Sequence, residues 1–596
     1  MKIKNWKAMR QIIIASVFVC IIAFAAYAAI TATRFSNPGA VSGQADGLLP
    51  GGDRMNSYAW SVETMKNPSG EEYLYVGSNR DLIYLLLKKT SMTDGQITDI
   101  FSGDIPIIGS AEDLKASIFR KKTSGDGDWE IIYTSPMLGT SPDVPLDIGY
   151  RGVQPYAAPG EAKPSLYFGT MGIATSRLIK IGPDFEPGDT PINVFQTPPG
   201  STTSVRALEV YNYGSGDKLY MGITASGADP ADEDLKIMES TDPESNDWKE
   251  IASLKKGDFP GAKVDTKTVQ YGGIWDMVVF NGYLYAFVGK DYSGTDDDGF
   301  TVFKGKPVSA GGNSAGWKWE PVVSSAGGIY PNGMGNKSNA TASPFVYNVG
   351  GKDYVYVGTF ADVISPLSKG FTAILDSMYP CQVYRFDKDD NWEMVVGNPE
   401  DSGGLFTTRL GNFGAGFFNA PEIPPEELKS IWPISPNQLS MNQYAWRMGV
   451  YKNKLYVTTL DLGVMLDYAK NFTDSQEEKE AIGALVALFK KYNPNPSGFD
   501  LYYTSDGINF DPVTKNGFGD KYNYGGRTVR TTPADDAMFI GTANPFYGCQ
   551  VWKVTDDTPA PEPEPEPSSG GGGCNAGLAG LLLLGIIPLL IYRKKQ

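Results

Sequence analysis

The sequence predicts an all-β protein, a β-propeller of seven four-stranded blades, and three observations predict it. First, a short phrase in which Tyr sits among aliphatic residues, usually ahead of Gly, recurs along the chain. It stands at "LYVG" (74–77), "LYFG" (166–169), "LYMG" (219–222), "LYAFVG" (284–289), "VYVG" (355–358), "LYVT" (455–458) and "MFIG" (538–541). Second, an apolar strand follows each copy after a loop of variable length, and in five units an aromatic-headed strand follows that. Third, longer words are doubled: "CQVYR" (381–385) with "CQVWK" (549–553), and "NSYAW" (56–60) with "NQYAW" (442–446). One antiparallel sheet cannot bury both faces alone. Stacking such sheets in a ring covers the faces and leaves only short edges.

The elements follow in order within each unit. First strands precede the Tyr phrase, as in "YAWSVET" (58–64), "IWDMVVF" (274–280) and "YAWRMGVY" (444–451). Most Tyr phrases come after a turn such as "FNGY" or "YKNK", which marks the second strand of a hairpin. Third strands are read at "LIYLLL" (82–87), "RLIKI" (177–181), "DLKIM" (234–238), "FTVFK" (300–304), "CQVYR", "FDLYY" (499–503) and "CQVWK". Fourth strands are read at "WEII" (129–132), "WKEI" (248–251), "WEPV" (319–322), "WEMV" (392–395) and "FDPV" (510–513). The long insertions fall mainly between second and third strands. One of them, 473–492, predicts a helix capped by Thr473 or Ser475, with Ile482, Leu485, Val486 and Phe489 on one face. The seventh unit runs out at Pro559 with no fourth strand of its own. "AITATRF" (29–35) is expected to pair with it and close the ring.

Composition narrows the function. The 596 residues are 41% hydrophobic and 12% aromatic, which excludes disorder for most of the chain. The net charge is −16, and the two ends carry basic residues and no acids, so the body is too acidic for a nucleic-acid binder. There is no His, which removes His-based catalysis and most zinc sites.

The ends read as export and anchoring. Lys2, Lys4, Lys7 and Arg10 precede an apolar run from Ile12 to Ala26, and Ala26-Tyr27-Ala28 supplies a small-x-small cleavage site after Ala28, so 1–28 is expected to be a signal peptide. The body is then 29–556, and 557–573 is a Pro/Glu- and Gly/Ser-rich spacer. The last segment, 574–596, has an apolar stretch long enough for a transmembrane helix and ends in Arg593-Lys594-Lys595, which predicts an extracytoplasmic body. "SSGGGGCNAG", the apolar span and the basic end resemble the bacterial Synergist-CTERM and GlyGly-CTERM sorting signals. That resemblance implies processing at Gly573-Cys574 by a membrane protease and display on the cell surface. It covers only the last 30 residues or so and says nothing of the body. Cys381 and Cys549, the two cysteines left in the body, are expected to be thiols, because equivalent points on third strands two units apart are too distant for a disulfide.

Within the body, "TSDGINF" (504–510) resembles the Asp-box turn of sialidase-like propellers, with Asp506 and Gly507 adjacent and Phe510 where that pattern has Trp. The resemblance implies kinship of blade architecture and no catalytic role.

Aligning first strands on the Tyr phrase yields the candidate site. Trp60, Trp275 and Trp446 begin three of them, and Arg151, Arg206 and Arg527 begin three others. A ring of Arg and Trp at a channel mouth suits an anionic or carbohydrate ligand. Trp filling seams between sheets and Arg pairing with acids is the plainer account. The Asp run 296–298 (Asp296, Asp297, Asp298) offers oxygen ligands to a calcium ion, though without EF-hand spacing, and no other cofactor is implied. With no Tyr-Glu nucleophile pair in evidence, the sequence reads as a non-enzymatic cell-surface protein that binds an extracellular ligand, a glycan among the candidates. The alternative is an extracellular glycan-active hydrolase working at the channel mouth.

Overall fold

Each Tyr phrase forms the second strand of a four-stranded antiparallel sheet in the computed structural model, which describes residues 30–36 and 53–557 apart from 90, 140–142, 199–203, 215, 226–233, 264–272, 291–298, 363–378, 415, 418–422, 432–439, 494–496 and 535. In chain order the first unit is β2 (Asn56–Lys66), β3 (Glu72–Arg80), β4 (Ser117–Lys122) and β5 (Glu130–Thr134). The second is β6 (Gly149–Tyr156), β7 (Ser165–Met171), β8 (Arg177–Ile181) and β9 (Ile192–Gln196). The third is β10 (Val205–Asn212), β11 (Asp217–Ala225), β12 (Asp234–Ser240) and β13 (Lys249–Ser253). The fourth is β14 (Ile274–Phe280), β15 (Tyr283–Val288), β16 (Thr301–Pro307) and β17 (Trp317–Val323). The fifth is β18 (Asn339–Val349), β19 (Lys352–Ala361), β20 (Val383–Phe386) and β21 (Trp392–Val396). The sixth is β22 (Asn442–Tyr451), β23 (Lys454–Asp461), β24 (Leu501–Thr504) and β25 (Asp511–Thr514), and the last holds β26 (Gly525–Thr531), β27 (Met538–Ala543) and β28 (Val551–Asp556).

The missing strand of the last unit comes from the other end of the body. β1 (Ile30–Arg34) pairs antiparallel with β28, from Ile30 opposite Asp556 to Arg34 opposite Trp552. Phe35 follows it into the core against Phe539 and Trp129. First strands lie side by side in succession, β2 on β6 on β10 and onward, and β26 returns to β2. The arrangement is all-β and propeller-like.

Glycine explains the Tyr phrase. A Cβ on Gly77, Gly169, Gly222, Gly358 or Gly541 would come closer than 3.0 Å to Tyr150, Val205, Ile274, Ala445 or Ala59, each on the first strand of the next unit. Neighbouring sheets therefore approach to backbone distance at this point. The sixth unit, which has Thr458 instead, reverses the roles: Gly526 on the next first strand makes room for the Thr458 Cβ. In the fourth unit the position is Phe287, and there the next strand is built differently, as described below. The phrase Tyr side chains are buried. Tyr220, Tyr285 and Tyr456 donate to Glu239, Asp390 and Asp556 at 3.0, 2.8 and 3.1 Å, and Tyr356 donates to the Gly507 carbonyl.

Two corrections concern strands. "LIYLLL" is not the third strand of the first unit but helix α1 (Leu82–Lys89), and the strand in that place is β4, "SIFRKK". A continuous apolar run has no period to separate a buried strand from a helix. The fourth strand of the second unit, β9, lacks the aromatic head and went unread.

Insertions between second and third strands build a helical cap. In the first unit α1 is followed by α2 (Asp94–Phe101), whose Thr93 and Gln96 form a capping box. The predicted helix is α4 (Gln476–Tyr492), capped by Ser475 and buried through Ile482, Leu485, Leu488 and Phe489. A shorter helix, α3 (Pro425–Ile431), packs against it. These helices, with Phe546 and Tyr547 of the "ANPFYG" loop, share one apolar cluster with Trp60, Trp275 and Trp446. Tyr468 and Tyr547 both donate to the Asp104 carboxylate at 2.5 Å, tying the insertions of the first and sixth units to the last.

The Asp-box-like turn is structural, as its resemblance implies. Asp506 accepts from the Ile508 and Asn509 amides at 2.9 and 2.8 Å, Gly507 has φ +74°, and Phe510 enters the core. Cys381 and Cys549 are buried thiols, and burial pushes Cys549 up to about 12. No helix among the described residues is long and apolar enough to cross a membrane. The export, spacer and anchor segments, with Ala28, Gly573 and Cys574, lie outside the described residues, as does the Asp296–Asp298 run.

Candidate active site

The six residues singled out by alignment are six β-bulges. In β2, β6, β10, β14, β22 and β26 the pairing with the second strand skips Trp60, Arg151, Arg206, Trp275, Trp446 and Arg527 in turn; β2 and β22 also skip Ser57 and Gln443 nearer their starts. A bulge leaves its extra residue out of the ladder and re-aims the side chain. Here it turns six large side chains together. The fifth unit, which follows Phe287, has no bulge at this point; its register runs straight from Ala342 to Ser343 opposite Thr359 and Gly358.

The structure brings the six together. The Arg151 guanidinium lies over both Trp60 and Trp275, at 5.3 and 5.6 Å from the ring centres. Arg206 sits 3.3 Å from the centre of the Trp275 ring and donates Nε–H to the Trp275 carbonyl at 2.7 Å. Arg527 lies 5.3 Å from Trp446, which stacks on Tyr444. Tyr444 in turn accepts from Trp275 Nε1 at 2.7 Å and bonds Ser343 at 2.8 Å. All six are buried, and Trp60 and Trp446 press on Gly149 and Gly525 of the following first strands. Filling of seams by Trp and clustering of Arg are both present.

Carboxylates nearby were missed by the sequence reading. Asp276, the residue after the Trp275 bulge, pairs with Arg447, the residue after the Trp446 bulge, at 2.5 Å, linking β14 to β22. Both retain some solvent contact. Glu209, three residues after Arg206, lies on the face of β10 shared with Ala207 and Tyr211, which pack with Ile274 and Met277 of β14. Solvent reaches Glu209, yet the protein around it is dense enough that burial pushes its carboxyl up to about 8, with the Asp276 charge adding to the rise. Glu63 is the equivalent residue after Trp60. Burial raises it as well, but Arg530 pairs with it at 2.5 Å. Burial holds Arg206 and Arg527 well below the usual arginine range, with repulsion from Arg151 and Arg447 adding to it. Among the described residues no group of three or more His, Cys, Asp or Glu could hold a metal ion.

No family model matches the chain, and no curated protein does. Solved structures with a similar fold include the Trypanosoma rangeli sialidase in complex with sialic acid, at 10% identity and TM-score 0.31. That match covers 72% of this chain and 55% of the sialidase, so the chain spans about half its length. An α-L-arabinofuranosidase from Fusarium graminearum matches at 12% identity and TM-score 0.30 over 67% of this chain and 88% of the other. An exo-β-1,3-galactanase from Clostridium thermocellum matches at 13% identity and TM-score 0.30 over 89% and 97%. Likenesses this distant concern the fold and transfer no residue. All three are named as enzymes that act on glycans, a finding that goes against the reading as a non-enzymatic binding protein.

Proposed function

We propose that the seven units are the blades of a closed propeller and that its channel is the catalytic centre of a glycan-active hydrolase, exported and held at the cell surface by its C-terminal segment. One observation carries the catalytic part: Glu209, its carboxyl pushed up to about 8 by burial, lies near enough to Asp276 for that charge to add to the rise, and Asp276 itself pairs with Arg447. Burial favours the protonated form of Glu209 at neutral pH, and Asp276 has Arg447 as its ion-pair partner. Glycoside hydrolysis uses one carboxyl group as acid and a second as base or nucleophile. Glu209 gives its proton to the departing glycosidic oxygen as the C–O bond breaks. Asp276 acts at the anomeric carbon, either by taking a proton from the attacking water or by bonding the carbon itself before water releases it. In the second route Glu209 takes the proton of the incoming water and both groups are reset; in the first, Asp276 gives its proton to solvent and Glu209 regains one from it before the next turnover. The bulged Trp side chains support the channel wall.

Purified protein is tested against a panel of aryl glycosides and polysaccharides. Turnover is expected, with Asp276→Asn and Glu209→Gln each lowering kcat by about 10²–10⁴-fold. Absence of turnover across the panel, or wild-type rates in both variants, rejects the reading. Location has its own test: protease added to intact cells should release the body, and protection until lysis contradicts surface display.

A further inference from the structure

We propose that the Arg side chains at the capped end of the channel form an oxyanion site, with Arg206 and Arg527 as its donors, and that the glycan taken there carries a carboxylate or sulfate group. The glycan part rests on the hydrolase reading above; the anion site rests on geometry. Arg206 is 8% and Arg527 2% exposed, and neither Arg206 Nη2 nor Arg527 Nε has a hydrogen-bond partner. Buried guanidinium N–H groups are costly to leave unpaired, and arginine does not escape by losing its proton. Arg151 and Arg447 add two like charges to the same cluster. Among the described residues the carboxylate that reaches this group is Asp276, and its close partner is Arg447.

The geometry selects the ligand class. Trp275 and Trp446 each cover a guanidinium face, and the Trp275 carbonyl holds Arg206 Nε. That leaves Arg206 Nη2 and Arg527 Nε with unspent N–H groups, and a guanidinium edge meets a carboxylate or sulfate with paired hydrogen bonds. A neutral hydroxyl would satisfy the donors but not the charge. The site is thus built to distinguish an acidic sugar from its neutral counterpart.

The test uses the purified full-length protein and three probes at matched ionic strength: galacturonate, inorganic sulfate and galactose. Galacturonate or sulfate should raise Tm in a concentration-dependent way, while galactose leaves it unchanged. The tighter of the two anions identifies which group is carried. Arg527→Met should abolish the anion response and, without anion, melt at or above the wild-type temperature, because it removes an unpaired buried charge. Arg527→Lys should keep a weakened response, since the charge stays and the fork is lost. An equal response to galactose, or an Arg527→Met variant that keeps the anion response, overturns the proposal. The two readings fail separately. Turnover of neutral glycosides with no anion preference removes this site and leaves the hydrolase, whereas anion binding lost in Arg527→Met without any turnover keeps the site and removes the hydrolase.

Discussion

The second strands and the first strands of the same units have opposite sequence habits. Second strands repeat one phrase because most units ask the same of them: a buried aromatic ring, Tyr in all but the last, and in five units a position with no side chain where the next sheet touches. First strands share a backbone event, the bulge, and vary what it presents, in the order Trp, Arg, Arg, Trp, none, Trp, Arg. The constant strand sets the spacing, and the variable strand gathers the Arg and Trp side chains. The fourth and fifth units show the link, since Phe287 replaces Gly and the bulge that would lie against it is absent.

The largest way to break this comparison is at the constant strand. Gly169→Val and Gly358→Val would drive a side chain into the Val205 and Ala445 carbonyls, and each is expected to cost more than about 4 kcal/mol and prevent folding. The exchanged pair sharpens it. Gly526→Ala should be severe with Thr458 present and mild in a Thr458→Gly background, a coupling of about 1–3 kcal/mol measurable by a double-mutant cycle in denaturant. Equal effects in both backgrounds would break the proposed complementarity.

Ring closure comes next. Phe35→Ala should cost about 3 kcal/mol, because its ring packs on Phe539 and Trp129. Deleting residues 29–36 should lower Tm in a single cooperative transition, since β1 joins both ends of the body. An unchanged melting curve would show that the last unit is stable with three strands.

The smallest expected effect concerns the variable strand. Glu209 holds its proton up to about pH 8 in the folded protein and releases it near pH 4.5 when unfolded. The folded state therefore binds more protons between those values, so this group's contribution is complete below pH 4.5 and is lost as pH rises through 8. Asp81 and Asp500, raised by burial to about 8 and about 7, slope the same way. Glu209→Gln should remove only its own share, on the order of 3 kcal/mol, seen as the wild-type–variant difference in unfolding free energy between pH 5 and pH 9. A difference independent of pH would place Glu209 in ordinary solvent.

Much of this was legible in the sequence because the Tyr phrase carries its own reason for repeating. Once second strands are aligned, Trp60, Arg151, Arg206, Trp275, Trp446 and Arg527 fall into one column, although nothing in the letters says that the column is a bulge. Asp276 and Glu209 were within reach of the same alignment, one residue after Trp275 and three after Arg206. They escaped because a carboxylate's role depends on which way its strand faces and on a partner from another first strand, and Arg447 lies 171 residues from Asp276. The cap was hidden for a different reason: α1 and α2 interrupt the first unit between its second and third strands, where an apolar run mimics a strand.

The central claim is that Glu209 is the proton donor of a hydrolytic site, and the most direct measurement compares two leaving groups. A dinitrophenyl glycoside departs without a proton, and an alkyl glycoside of the same sugar needs one. The account predicts that Glu209→Gln loses alkyl-glycoside turnover by about 10²-fold or more while keeping most of its rate on the dinitrophenyl substrate. It also predicts that the wild-type alkaline limb near pH 8 disappears in the variant. An equal loss on both substrates, or an alkaline limb that survives the substitution, would contradict it.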